Sequence, residues 1–213
     1  VTNYKFSDLV DVVEFSKILD SFYSATGIPN GLIAIDGEVI SQSGWISACE
    51  NFHKVSTESK KNCLKSNFKL IENIRDGEIT TSLCKNGLID YATPIIIKEQ
   101  RIATLFLGQV LTKSPNLKSF EKQSNKFNFD KKTYLKAIKE VPIVSNDKIQ
   151  SSIKCIVSIA QMLAQNGLSK LEHFELEKNL LNSNKKVIHL SDILDFSPNG
   201  IGWSNVKGEI GRA

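Results

Sequence analysis

The chain has no run of about 18 apolar residues, so no segment of it reads as a membrane-spanning helix. Its N-terminus, VTNYKFSDLVDVVEF, carries acids and lacks the apolar stretch of a secretory leader. There is no G-x-S-x-G, no glycine loop for phosphate, and no Ser/His/Asp spacing that stands apart from chance. Nor is there a basic stripe interleaved with aromatics. The net charge of +4 comes from 27 basic and 23 acidic residues, with the lysines scattered as on a solvated surface. Nucleic acid is therefore not an expected partner. Internal repeats and low-complexity segments are also missing. Four cysteines in 213 residues of cytoplasmic character do not suggest a disulfide framework. Metal binding, redox chemistry or simple burial are the readings left open.

What is present is a chain that is 41% hydrophobic and 23% charged, ordinary for one principal domain with an appendage. Residues 7–25 place Leu9, Val12, Val13, Ile18, Leu19 and Phe22 at helical spacing, with Ser7 as N-cap and Gly27 as stop. Two β-rich runs then flank Asp36-Gly37, a strong hairpin signal. From Trp45 the pattern is helical, breaks at Val55-Ser56, and resumes as a second helix capped by Ser56 and ended by Gly77.

The longest apolar stretch, Cys84 to Leu111, reads as two paired strands after a turn at Asn86-Gly87, joined by a turn at Lys98-Glu99-Gln100. Pro94 argues for an edge or a bulge in the first strand, because proline cannot donate to a ladder. Gly108 marks a bulge or a close approach in the second. The lysine-rich residues 114–141 read as two short amphipathic helices around Phe120, Phe127, Tyr134, Leu135 and Ile138. A long helix starts near Asn146, with Ile149, Ile153, Ile156, Ala160 and Leu163 forming a coiled-coil-like seam. That seam suits either its own sheet or a partner subunit. Gly167 interrupts it. Together these elements predict an α+β domain with an antiparallel sheet. The tail HLSDILDFSPNGIGWSNVKGEIGRA is too short for a core of its own, and the chain is expected to be part of a longer protein.

Several side chains are candidates for chemistry. Cys49 and His53, four apart, share a helical face; with Cys63 and Cys84 they offer three thiols and an imidazole, a set that tetrahedral zinc accepts. Their spacing, C-x3-H-x9-C-x20-C, lacks the tight knuckle of common zinc sites. The alternatives are that the group lines a pocket, is redox-active, or is buried as small apolar side chains. Cys155 reads as buried in the long helix. Trp45, Phe52, Tyr91 and Phe106 are candidate walls for a small-molecule pocket, with Gln109 and the Tyr91 hydroxyl as orienting groups. By strand alternation, Asp90 points to solvent if Tyr91 points inward. As a nucleophile, Cys63 or Cys84 with His53 as base would make a cysteine enzyme, the weaker reading.

The motif W-x3-C-x3-H-x9-C from Trp45 to Cys63, followed by Cys84-Lys-Asn-Gly-Leu, Ala92-Thr-Pro-Ile and Gly108-Gln109, resembles the PocR-type ligand-binding sensory domain over about residues 7–165. The resemblance implies a PAS-like variant with about five central strands, flanking helices and a long C-terminal signalling helix. It implies a non-catalytic, cytoplasmic sensor of a small organic, often hydrocarbon-derived, ligand, fused to a histidine kinase, diguanylate cyclase or AraC-type regulator. A homodimer through the C-terminal helix is the expected assembly. The domain expectation is a sensor over 1–145, a signalling helix over 146–186, and over 187–213 the start of a PAS domain, which DILDFSPNGIGWSNVKGEI resembles.

Overall fold

The computed structural model describes residues 4–75, 77–195, 203–204 and 210–211. Two compact units divide it, Val1–Gly167 and Leu168–Ala213. The first begins with a short helix α1 (Phe6–Leu9) and a longer helix α2 (Val12–Thr26). The expected single helix is broken at Val10-Asp11, because Asp11 and not Ser7 is the cap: its carboxylate accepts from the amides of Val13 and Glu14. Gly27, at φ 68°, ends α2 in the left-handed conformation glycine favours.

Five strands form one antiparallel sheet: β1 (Asn30–Ile33), β2 (Val39–Ser43), β3 (Thr80–Leu83), β4 (Ile89–Ile97) and β5 (Gln100–Val110), in the order β2-β1-β5-β4-β3. The two hairpin dipeptides behave as their chemistry requires. Gly37 takes φ 91° in the turn after Asp36, and Lys98 and Glu99 both take positive φ to connect β4 to β5. That second turn is two residues long, with Gln100 already in the strand. Pro94 pairs with Thr104 of β5, while β3 pairs only as far as Ala92, so the proline lies where β4 has one neighbour. Its missing N–H leaves no gap in the ladder.

Between β2 and β3 the chain forms a short π-helix (Ala48–His53) and then α3 (Thr57–Glu72). Ser56 occupies the N-cap position of α3, although its hydroxyl makes no capping bond, and the helix ends at Asn73, short of Gly77. After β5 come α4 (Leu117–Phe127) and α5 (Lys131–Lys139), capped by the side chains of Asn116 and Asp130. Both bury their aromatic and aliphatic faces and leave the lysines out. α6 spans Asn146–Asp195.

The sheet is covered on both faces. On one, Asn30 donates from Nδ2 to the Leu19 carbonyl of α2 at 3.2 Å, and the Tyr91 hydroxyl donates to Asn146 Oδ1 of α6 at 3.1 Å. Ile149, Ile153, Ile156, Ala160 and Ala164 are buried within this first unit. The first half of the long helix thus packs on its own domain, and Leu163 is only partly buried. Cys155 falls between the buried positions and is exposed, contrary to its expected burial. On the other face lie the π-helix and α3, with α4 and α5 beside them.

The second unit holds the rest of α6 and two short paired strands, β6 (Trp203–Ser204) and β7 (Ile210–Gly211). The Pro198-Asn199-Gly200 and Lys207-Gly208 segments of the tail lie outside the described residues. No helix among the described residues is long and apolar enough to cross a membrane.

Gly167 does not interrupt α6. A Cβ there would sit 1.8 Å from the Leu9 carbonyl oxygen, so the residue is glycine because α1 crosses the helix in backbone contact. Gly167→Ala is expected to lower the unfolding free energy by about 2 kcal/mol or more, measured by denaturant melts. At an open helical position the same change would stabilise by about 1 kcal/mol, and a gain of that sign would contradict the contact.

Candidate functional site

The geometry of the site begins with one extra residue. In the β4–β5 ladder Ile89 pairs with Val110 and Asp90 with Gly108, so Gln109 has no partner and forms a bulge. Its φ is 61°, a conformation that L-residues adopt at a cost of about 1–2 kcal/mol. Three contacts hold it there. The Gln109 amide donates to Asp90 Oδ1 at 2.9 Å, its side-chain Oε1 accepts from the Ile46 amide at 2.9 Å, and the Gly108 amide donates to the Pro29 carbonyl at 3.0 Å. Gly108 has no freedom to be anything larger. A Cβ there would stand 2.3 Å from Asp90 Oδ1.

The bulge opens onto a cavity of about 350 Å³. Trp45, Phe106 and Gln109 line it, joined by Asp90, Lys54, and Leu64 and Phe68 of α3. Trp45 is fixed by donating from Nε1 to the Asn30 carbonyl at 3.2 Å, and its ring lies beside Gly31. Lys54 Nζ lies 3.5 Å from the centroid of the Trp45 ring and is ion-paired with Glu50.

Two of the expected wall residues are elsewhere. Tyr91 is 2% exposed, points to the opposite face of the sheet, and is occupied by Asn146. Phe52 belongs to an aromatic cluster with Phe129 and Tyr134, at centroid distances of 5.5 and 5.1 Å. Strand alternation holds: Tyr91 points inward, toward α6, and Asp90 points to the other face, where it meets the cavity and not the expected open solvent. With helices on both faces, the alternate position is not a solvent position. The signal that would have found Asp90 is its own neighbourhood: an acid inside an apolar strand, opposite the Gly108-Gln109 pair.

Asp90 is a partly buried carboxyl in the cavity wall. Burial raises its pKa to about 6, only partly offset by the Gln109 amide.

Cys49, His53, Cys63 and Cys84 are brought to one end of the sheet, but their polar atoms are engaged by the protein. His53 Nε2 and the Tyr134 hydroxyl hydrogen-bond at 2.8 Å, and Cys49 Sγ is 3.9 Å from His53 Nδ1. Cys63 Sγ accepts from Asn86 Nδ2 at 3.1 Å, and Cys84 Sγ accepts from the Leu88 amide at 3.3 Å. Cys49 and Cys84 sit in the apolar cluster formed with Leu88, Phe120, Tyr134 and Ile138. Among the described residues no group of three or more His, Cys, Asp or Glu side chains is arranged to hold a metal ion. Burial raises the pKa of all three thiols, Cys84 to about 12, and lowers that of His53 to about 4. The thiolate is the nucleophilic form, so this environment works against a cysteine nucleophile and against His53 as its charged partner.

Asp90 and His53 have opposite effects on acid stability. The folded chain takes up a proton on Asp90 near pH 6 and the unfolded chain near 3.8, so this group favours folding as pH falls through that window. His53 is protonated near 6.5 when unfolded and near 4 when folded, so its contribution is lost on acidification. Each amounts to about 3 kcal/mol, and between pH 6 and 4 they offset one another. Asp90→Asn should therefore lose about 2–3 kcal/mol of stability relative to its own value at pH 6 by pH 4, and His53→Gln should gain. Denaturant melts across that range measure both; parallel profiles for the two variants would contradict the assignment.

Comparison with known proteins adds the family. A model described as the sensory domain found in PocR matches residues 8–168. No curated protein matches the chain. Among solved structures, the chain is similar to the crystal structure of the Rhodobacter sphaeroides LOV protein, with 11% identity, 72% of this chain and 96% of that chain covered, and a TM-score of 0.29. A variant structure of RsLOV gives 8% identity, 71% and 96% coverage, and a TM-score of 0.28.

Proposed function

The chain belongs to the family of sensory domains found in PocR, and from that premise we propose that the cavity at the Gln109 bulge is where it binds its signal, a small organic molecule. The observation that carries this reading is the strained bulge itself. A non-glycine residue held at φ 61° beside a partly buried carboxyl and the rings of Trp45 and Phe106 is a local arrangement that folding alone does not favour. Small-ligand sites are built of apolar walls with a few fixed polar groups, and a volume of about 350 Å³ suits a molecule of modest size.

Occupancy has a short route to the long helix. Asp90 lines the cavity, and the next residue, Tyr91, crosses to the other face and holds Asn146 at the start of α6. A ligand that repositions the bulge changes the strain on that hydrogen bond and biases the helix between two arrangements. Beyond the first unit the helix carries exposed Phe174, Leu181 and Ile188 at intervals of seven, a heptad spacing that suits a second copy of this chain. We read the chain as the cytoplasmic input module of a dimeric signalling protein whose output is a kinase, a cyclase or a transcription regulator.

Gln109→Gly separates fold from function. Glycine relieves about 1–2 kcal/mol of strain and forfeits an acceptor for the Ile46 amide worth about 1 kcal/mol, so stability is expected to change little. Binding should be lost. In a thermal-shift screen of small organic molecules, wild-type protein should be stabilised by members that leave Gln109→Gly unmoved. Equal shifts in both proteins would place binding elsewhere.

A further inference from the structure

The charge around the cavity is one-sided. Asp90 and Asp36 line it, and Lys54 is the one basic side chain among its described lining residues. That lysine is already ion-paired with Glu50. Asp36, in the exposed β1–β2 turn, accepts from the Glu38 amide. The α3 residues that line the cavity, Leu64, Asn67, Phe68 and Ile71, bring no charge. Asp90 therefore faces a space whose wall offers it one N–H, from Gln109, and no counter-ion among the described residues. A carboxylate that is only partly open to water and has one protein donor is stabilised by a cation or further donors that reach it.

The apolar part of the lining suits a cation as well. Trp45 is the aromatic ring with the strongest attraction for an ammonium, and one is already there: Lys54 Nζ at 3.5 Å from the ring centroid. The lysine is partly exposed at the cavity rim, so a ligand can displace it or share the ring with it. Phe68 and Phe106 add two more ring faces to the same space.

We propose that the signal is a small organic cation, an amine whose ammonium is neutralised by Asp90 and whose hydrocarbon body lies against Trp45, Phe68 and Phe106. The proposal rests on the reading that this cavity binds the signal, and it specifies the chemical class. An organic acid would meet Asp90 and Asp36 with like charge. An alcohol would supply a donor to Asp90 but no counter-charge. The acid–base state of the site follows: the amine is held best once Asp90 is ionised, with Asp36 and the Lys54–Glu50 pair as the other charges bordering it.

Three probes of one shape and different charge test this: 2-phenylethylamine, 2-phenylethanol and phenylacetate, with butylamine, butanol and butyrate as a smaller set. Calorimetric titration should show the amines binding about tenfold or more tighter than their alcohols and acids, a difference of about 1.4 kcal/mol. Asp90→Asn, which keeps an acceptor for the Gln109 amide, should remove that preference by weakening the amine about tenfold or more while changing the alcohol, which brings no charge, much less. Trp45→Leu should weaken the amine more than the alcohol, a second readout that does not depend on the Asp90 variant folding well. Amine affinity should rise from pH 5 to pH 7. Tighter binding of an alcohol or an acid, or an amine affinity indifferent to Asp90→Asn, overturns the cation assignment and leaves the sensory cavity standing. Failure of every probe in both size sets, on wild-type protein with an unaltered melt, counts against the cavity as a site and removes both.

Discussion

The bulge at Gln109 is the constraint on which the rest of the site depends. One unpaired residue lets β5 turn its Gly108 edge against Asp90, and the same residue holds the Ile46 amide through its side chain. Ile46 follows Trp45, so the strand distortion also fixes the segment that carries the main aromatic wall. A larger residue at Gly108 would drive its Cβ into the Asp90 carboxyl, and a Gln109 without its side chain would leave the Ile46 amide without its acceptor. The strain of a positive φ is thus distributed over three hydrogen bonds, each to a different part of the domain.

The buried polar groups divide by what surrounds them. His53, Tyr134 and Asn86 are satisfied by protein partners and stiffen the contact between the π-helix, α3 and α5. Their neighbours Cys49 and Cys84 behave as small apolar side chains in a shared cluster. Asp90 is different, because its partner is a single backbone amide and the rest of its environment is a cavity. That contrast, more than any one distance, separates the group that serves packing from the group available to a ligand.

Much of the fold was legible in the sequence for local reasons. Asp36-Gly37 and Asn86-Gly87 required turns, Pro94 required a missing neighbour, and Gly108 required a bulge or a close approach, which proved to be the same feature. The two strand pairs followed from β-rich runs set between turn residues, and the two lysine-rich helices from the spacing of their aromatic and aliphatic residues. What local pattern did not reveal depended on a second covering layer. Alternation placed Tyr91 and Asp90 on opposite faces correctly, but nothing in the strand said that both faces would be covered, so the acid was assigned to water. Phe52 reads as a candidate pocket wall beside Trp45, Tyr91 and Phe106, whereas the π-helix carries it toward Phe129 and Tyr134. Cys155 was read as buried from the apolar character of its helix, and the helix turned it outward. Gly167 looked like an interruption because its reason, the Leu9 carbonyl, lies far away along the chain.

The central claim is that a ligand enters the space between the bulge and Trp45. Amide and indole chemical shifts, followed by NMR while 2-phenylethylamine is added, test it most directly. The account predicts that the Gln109 and Ile46 amides and the Trp45 indole N–H move first and saturate together, with Tyr91 and Asn146 following at the same midpoint. Shifts confined to the His53–Tyr134 cluster or to the α2 side of the sheet, with the Gln109 amide unmoved at saturation, would contradict it.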